Sequence, residues 1–507
     1  MEPNIQIVTV MVVYVVGLLT LGFYFGRRVK SSSDFAIAGR KLPGWIAALS
    51  ERSTGESSWA LLGLPGVAYA TGLFEIWTAL GCFLGVVVSW WFLAWRLRNE
   101  AEKYEVNSFS EYLSKRHGDK NRWLRIASAF TIVFFFFFYV GAQFVGGSKI
   151  IENLFGIPKF YGMLIVLVMI VPYTIYGGFR SVTYTDVIQA IIMIITLVVT
   201  PIAGYFYLQN ASETTVFSNS LWQGLSMSGQ NYTSLFVAPQ SEQTNALGVL
   251  FGQYFPAAPQ LVNGLVVGVL ITGSFAWFFG FLGGQPQLTM RFMAIRSRRE
   301  AKQARNISII WTFFAYFGAL MIGWLGIAMF GPAGLADQET VLLAVLGVVF
   351  PPAIQGILIT GILAAIISTA NSLLILSSTE LSENLVQPFL SKNRTQKNNL
   401  FYSRLITFLL AIVAMIVAWF SPVDLVFSIV SYVWSGIGST FSVVILLTLF
   451  WKRFTAKAAI LTIIGGLSFT VFWIASGLEV YISTRILTFL VALTLAIIGS
   501  VLMRKKA

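Results

Sequence analysis

The sequence predicts an all-α protein that crosses a membrane many times, on three observations. Of its 507 residues, 56% are hydrophobic and only 11% charged, with a mean hydropathy of +0.76, a composition outside the range of soluble domains. Apolar runs long enough to cross a hydrocarbon core of about 30 Å follow one another from Ile5 to Met503. These runs are solidly apolar and not alternating, so helices, and not barrel strands, satisfy their backbone groups in lipid.

In order, the spans fall near residues 5–26, 44–70, 73–97, 124–155, 157–178, 185–208, 261–293, 307–331, 340–378, 400–420, 424–452, 457–475 and 481–503. That is about 13 crossings at roughly 20 residues each. The first is too long for a signal peptide, and Met1 to Asn4 carry no basic residue, so it reads as a retained helix. Basic residues crowd alternate loops: Arg27 to Lys41, Arg96 to Arg125, Arg180, Arg291 to Arg305, Lys392 to Arg404, Lys452 to Lys457 and Arg504 to Lys506. The positive-inside rule then puts the N-terminus outside and the C-terminus in the cytoplasm, which needs an odd number of spans. Leu208 to Gln260 hold no Lys or Arg and read as an outer loop. Arg291 to Arg305 read as topological anchors on the inner face, and the net charge of +13 calls for no nucleic-acid partner.

Single copies of cysteine (Cys82) and histidine (His117) leave disulfides, His-rich metal sites and Ser/His/Asp chemistry unsupported. No GxxxxGK[ST] loop occurs, which argues against ATP-driven transport, and nothing points to an enzyme.

Two spans are interrupted by small and polar residues. The second runs Leu49-Ser50-Glu51-Arg52-Ser53-Thr54-Gly55-Glu56-Ser57-Ser58-Trp59 and then Gly63-Leu64-Pro65-Gly66; the seventh runs Gly280-Phe281-Leu282-Gly283-Gly284-Gln285-Pro286-Gln287. Gly and Pro break helical bonding, and freed backbone groups are tolerated at membrane depth only where they line a cavity or bind something. With the first span set aside, each break opens a five-helix group, the layout of an inverted-repeat transporter with its site at the midplane. Close helix packing through small residues is the alternative.

In the ninth span Ala365, Ser368 and Thr369 share one helix face. Two hydroxyls facing broken-helix carbonyls make an oxygen shell suited to a small alkali cation, and Ser53 adds another oxygen; bonds to carbonyls one turn back are the alternative. Asp186, three residues before Gln189, is costly inside a span and so a functional candidate, with a helix-capping role as the alternative. Glu51, Arg52 and Glu56 put three charges in one span. Arg52 is expected to pair with one carboxylate. The other is left to ligate a cation, carry a proton or hold a cationic group of a substrate.

A set of short motifs is spread over nearly the whole chain. They comprise Asp34-Phe35 with Ala38-Gly39-Arg40, Leu61 to Gly66, Tyr184-Thr185-Asp186 with Gln189-Ala190, and Gly284-Gln285-Pro286 with Arg291-Phe292-Met293-Ala294. Ile362 to Ala365 with Ser368-Thr369, and Trp434 with Gly436 and Gly438, complete the set, which resembles the sodium:solute symporter family, in particular its bacterial sodium/proline branch. The resemblance implies a leucine-transporter-type core of two inverted five-helix repeats, 44–208 and 261–452, preceded by helix 5–26 and followed by two helices at 457–503. It implies a sodium site at Ser53, Glu56, Ala365, Ser368 and Thr369, with Asp186 beside the cation path; Glu51 and Arg52 are coupling or gating candidates on their charge within a span. The solute positions it implies are Tyr139, Pro286, Phe278 and Leu282, beside Ser57 and Trp59 at the first break. Gly55-Glu56 replaces the branch's Asp-Met pair, and Gln287 replaces its His.

The expected function is sodium-coupled symport of a small organic solute by alternating access in the cell membrane, with proline or another small amino acid first. The alternatives are a proton-coupled or uncoupled carrier of a sugar, polyol or carboxylate, motivated by Glu56, and a membrane sensor, which the end of the chain soon after its last span disfavours. Sodium, the solute and the lipid bilayer are the expected partners; the sequence leaves oligomeric state open.

Overall fold

A computed structural model describes residues 4–27, 42–106, 108–212, 214–237, 266, 269, 271–386 and 396–503. Residues 28–41, Lys392, Arg504 to Lys506, residues 238–260 of the expected outer loop and most of the start of the seventh span lie outside the described residues.

Ten helical segments among the described residues are long and apolar enough to cross a membrane. Two of them exceed one crossing. Gly44–Lys103, 60 residues, turns at Gly72, where φ is 67°, and Lys159–Asn210, 52 residues, turns at Gly178 (φ 58°, ψ −174°). A glycine serves at both corners because an added Cβ is strained at positive φ. The expected count of about 13 spans is therefore not confirmed by the ten segments, two of which turn back within one helical run, while the start of the seventh span lies outside the described residues. The corners nonetheless fall where 44–70 meets 73–97 and where 157–178 ends.

The helices in order are α1 (Ile5–Gly26), α2 (Gly44–Ser58), α3 (Leu64–Thr71), α4 (Ile76–Val88), α5 (Ala94–Lys103), α6 (Phe109–Arg116), α7 (Trp123–Phe155) and α8 (Lys159–Asn210). There follow α9 (Leu221–Met227), α10 (Trp277–Phe281), α11 (Pro286–Ala294), α12 (Arg298–Phe330), α13 (Val341–Val349) and α14 (Pro352–Thr379). The chain closes with α15 (Gln396–Phe420), α16 (Val426–Val433), α17 (Thr440–Phe450), α18 (Ala456–Ala475) and α19 (Thr484–Leu502). The expected ninth span, 340–378, is two helices: Pro351 and Pro352 supply no N–H to continue α13 into α14.

Burial sorts these helices. The apolar window of α14 is 94% buried, against 22% for α1 and 28% for α19, so α14 is the central column and α1 and α19 face outward. Around α14 pack α2, α7 and α8, and α12 braces α2, α3 and α8. At the basic end, Leu42 and Ile295 form a parallel bridge, and the Gly44 N–H donates to Glu300 at 2.5 Å, pinning the starts of α2 and α12 together. His117 sits between α6 and α7 with Nε2 2.9 Å from Thr448 Oγ1. Burial, reinforced by Arg116, pushes its imidazole down to about 4. The neutral ring's contribution to stability is thus complete above the ordinary histidine value and is lost as pH falls toward 4.

Gly318 on α12 faces Leu197 of α8 so closely that a Cβ would overlap the Leu197 carbonyl, whereas one on Gly17 of α1 meets nothing within 4 Å. Gly318→Ala is expected to cost about 1–3 kcal/mol and to lower the melting temperature in detergent, with Gly17→Ala unchanged. Equal melting of the two variants contradicts this packing.

Candidate functional site

The first break is at Ser57, whose φ of 38° and ψ of −165° leave the helical region, a conformation L-residues adopt only under constraint. Gly55 stays helical, and Pro65 sits harmlessly in the first turn of α3, so neither expected breaker makes the break. The polar groups it frees find partners: Tyr139 OH donates to Ser57 Oγ at 3.1 Å and the Trp59 N–H to the same oxygen at 3.2 Å. Ser58 N–H and Oγ both donate to Gln143 Oε1, at 3.2 and 2.9 Å.

The second break, between α10 and α11, carries φ 79° at Gly283, and Thr289 Oγ1 caps the Gly283 carbonyl at 3.0 Å. Pro286 opens α11, where its missing N–H costs nothing.

An aromatic cluster joins the breaks. Trp59 stacks on Trp277 (5.1 Å, 16°) and lies 5.7 Å from Tyr316 and 6.4 Å from Trp434. Phe281 closes on Trp434 at 4.1 Å. Ser57, Trp59 and Tyr139, all buried, are brought together as expected. Phe278 is not on this cluster: it stacks on Phe275 at 5.8 Å, half-buried. The turn of α10 presents Trp277 and Phe281 instead, one residue earlier than Phe278 and Leu282.

On one face of α2, Ser53 Oγ lies 2.9 Å from Ser368 Oγ, and Thr369 Oγ1 donates to the Thr54 carbonyl at 3.0 Å. Ala365, fully buried, stands one turn before them on α14. Ser368 Oγ and Ser50 Oγ donate to Asp186 at 2.7 and 2.6 Å. Asp186 is therefore not a helix cap. It lies inside α8 beyond the Gly178 corner and pairs with Arg291 at 3.2 Å. Arg291 in turn is 1% exposed, donates to Ser50 Oγ (2.9 Å) and Ser372 Oγ (2.6 Å), and is no surface anchor. Charge burial explains both corrections: each group is tolerated in the bundle because the other neutralises it.

The opposite face of α2 carries the charged triad. Arg52 pairs with both carboxylates, not one: its Nε donates to Glu51 at 2.5 Å and its Nη1 to Glu56 Oε1 at 2.8 Å. Thr312 lies 3.1 Å from Nη1, Trp90 Nε1 donates to Glu51 at 3.2 Å and Tyr316 OH to Glu56 Oε1 at 3.1 Å. The Glu56 carboxylate thus faces α12, away from the hydroxyls of α14, and its carbonyl takes the Trp59 N–H. It does not join the oxygen group at Ser53, Ser368 and Thr369. A crevice of about 10 Å³, room for no more than a single water, adjoins Glu51 and Arg52 beside Gly283 and Gln285.

The sequence reading missed Ser50, Thr54 and Ser372 around Asp186, and Gln143 and Tyr316 beside the first break. Ser372 was within reach, one turn beyond Ser368 on the same face.

The profile of the sodium:solute symporter family matches residues 35–466. The high-affinity proline transporter PutP of Bacillus subtilis (strain 168) is 33% identical over 489 residues, 96% of either chain. A sodium/proline symporter of Staphylococcus aureus (strain JH9) is 31% identical over 488 residues, 94% of this chain and 87% of that one. Among solved structures, a substrate-bound outward-open Na+-coupled sialic acid symporter superposes with a TM-score of 0.76 at 18% identity, over 98% of both chains. MhsT in complex with L-phenylalanine gives 0.51 at 15% identity, over 89% of this chain and 97% of that one. These likenesses show a shared fold.

Arg52→Leu leaves two carboxylates buried against each other, and is expected to cost about 3–5 kcal/mol in melts of the purified protein. The triple variant Glu51→Gln, Arg52→Leu, Glu56→Gln removes all three charges and should melt above the single variant. A triple variant no more stable than Arg52→Leu contradicts the ion-pair account.

Proposed function

The chain belongs to the sodium:solute symporter family, and from that premise we propose that it is a sodium-coupled symporter of a small organic solute, with proline or another small amino acid as the cargo. The observation that carries this reading is the buried oxygen group on α2 and α14: Ser53, Ser368 and Thr369 hydroxyls beside a broken helix, backed by Asp186. Hard oxygen ligands at a helix break are what a dehydrated sodium ion requires. The names of the B. subtilis and S. aureus relatives support proline.

Sodium seats against Ser53, Ala365, Ser368 and Thr369 and ties α2 to α14 in the outward-facing state. The solute then binds at the breaks, beside Ser57, Trp59, Tyr139 and Pro286, with Trp277 and Phe281 in place of Phe278 and Leu282. Residues 44–208 and 261–452 act as the two repeats and rock about the site to release both cargoes inside. The protein lies in the cell membrane with its N-terminus outside and its C-terminus cytoplasmic. One charge moving through 100 mV releases about 2.3 kcal/mol, enough for roughly fiftyfold accumulation.

The test is uptake of labelled proline, with competing solutes, into proteoliposomes with and without an inward sodium gradient at fixed pH and potential. Uptake should require sodium, and Ser368→Ala or Thr369→Ala should raise the sodium concentration for half-maximal uptake by roughly tenfold. Uptake indifferent to sodium, or unaltered sodium dependence in both variants, overturns the assignment.

A further inference from the structure

The triad on α2 is out of charge balance. Glu51 and Glu56 face the single guanidinium of Arg52, and the other buried pair nearby, Asp186 with Arg291, is already neutral. Ionised, the triad holds one net negative charge where its burial is expensive. The imbalance has an address. Glu56 Oε1 is saturated by Arg52 and Tyr316, while Glu56 Oε2, in a fully buried side chain, meets no hydrogen-bond partner among the described residues.

The surroundings of that carboxylate select the kind of cation. Tyr316, which donates to Glu56, packs its ring 5.7 Å from Trp59, and Trp59 stacks on Trp277, so the carboxylate borders the aromatic cluster between the two breaks. A bare metal ion needs several oxygens around it, and here the guanidinium of Arg52 and the aromatic rings occupy the neighbourhood. A protonated amine needs one carboxylate oxygen to accept its N–H and aromatic faces to receive the rest of its charge.

We propose that Glu56 is the specificity residue of the solute site, its free oxygen receiving the ammonium nitrogen of the cargo. The transported class is then amino compounds, and sugars, polyols and monocarboxylates are refused because they leave the carboxylate unneutralised. This rests on the symporter reading and narrows its substrate.

The test uses ligand pairs that differ in the protonatable nitrogen, proline against tetrahydrofuran-2-carboxylate and alanine against lactate. Each is titrated in sodium against the purified protein, with the shift in melting temperature giving its affinity. The wild type should prefer the nitrogen-bearing member of a pair by at least about tenfold. Glu56→Gln should shrink that preference to under about threefold. Tyr316→Phe, which leaves the carboxylate in place, should keep it. If Glu56→Gln gives no cooperative melt, Glu56→Asp replaces it and should weaken the nitrogen-bearing members alone. Equal binding of both members to the wild type, an undiminished preference in the Glu56 variant, or equal weakening of both members overturns the proposal. A preference in the alanine pair with no binding of either proline-pair member sinks proline as cargo and leaves the ammonium site standing. Binding of no member sinks both.

Discussion

A helix interrupted at membrane depth exposes N–H and C=O groups that lipid cannot satisfy, so everything near Ser57 is arranged around supplying them with partners. Gln143 takes both donors of Ser58, and Ser57's own hydroxyl takes the Trp59 N–H while receiving the Tyr139 hydroxyl. The bonds of Gln143 and Tyr139 come from α7 and fix its position against α2. The strained backbone of Ser57 persists because those partners over-determine it. The aromatic cluster depends on the same constraint, since Trp59 reaches Trp277 only because the chain redirects at that residue.

The second constraint is charge. Two of the ionic groups buried among the described residues lie on different faces of α2. One runs from Ser50 and Ser53 through Asp186 to Arg291 and joins α2 to α8, α11 and α14. The other runs from Arg52 to Thr312 and Tyr316 and joins α2 to α12. Replacing such groups by apolar residues often costs little stability, so their presence points to use of the charges.

Much of this was legible from local pattern. The apolar runs gave the helices because lipid leaves the backbone no other solution. Ser368 and Thr369 were found because a helix puts residues three and four apart on one face. Both breaks were found as regions, since small and polar residues concentrate there. What escaped was non-local. Arg291 pairs with Asp186 across 105 residues, and nothing within its basic stretch distinguishes it from the surface arginines that follow. The register of α10 escaped because four adjacent aromatic or glycine positions, Trp277 to Gly280, offer no periodicity from which to choose an inward face. The first break escaped as a residue: serine at positive φ is imposed by Tyr139 and Gln143, not by its own preference.

The placement of the two groups also separates two kinds of chemistry on one helix. The hydroxyl face of α2 meets α14 through Ser53, Ser368 and the Thr54 carbonyl, so its chemistry is that of oxygen donors and tolerates change in the side chains opposite. Gly55 and Glu56 lie on the other side, where the Glu56 carboxylate is bound by Arg52 and Tyr316 and borders the aromatic cluster without entering the oxygen group. On the function proposed above, the cation site and the solute face are thus built from different side chains of α2. Since both faces belong to one helix ending at Ser57, a rigid-body shift of α2 that opens one must disturb the other, which is the mechanical condition for coupling an ion to a solute.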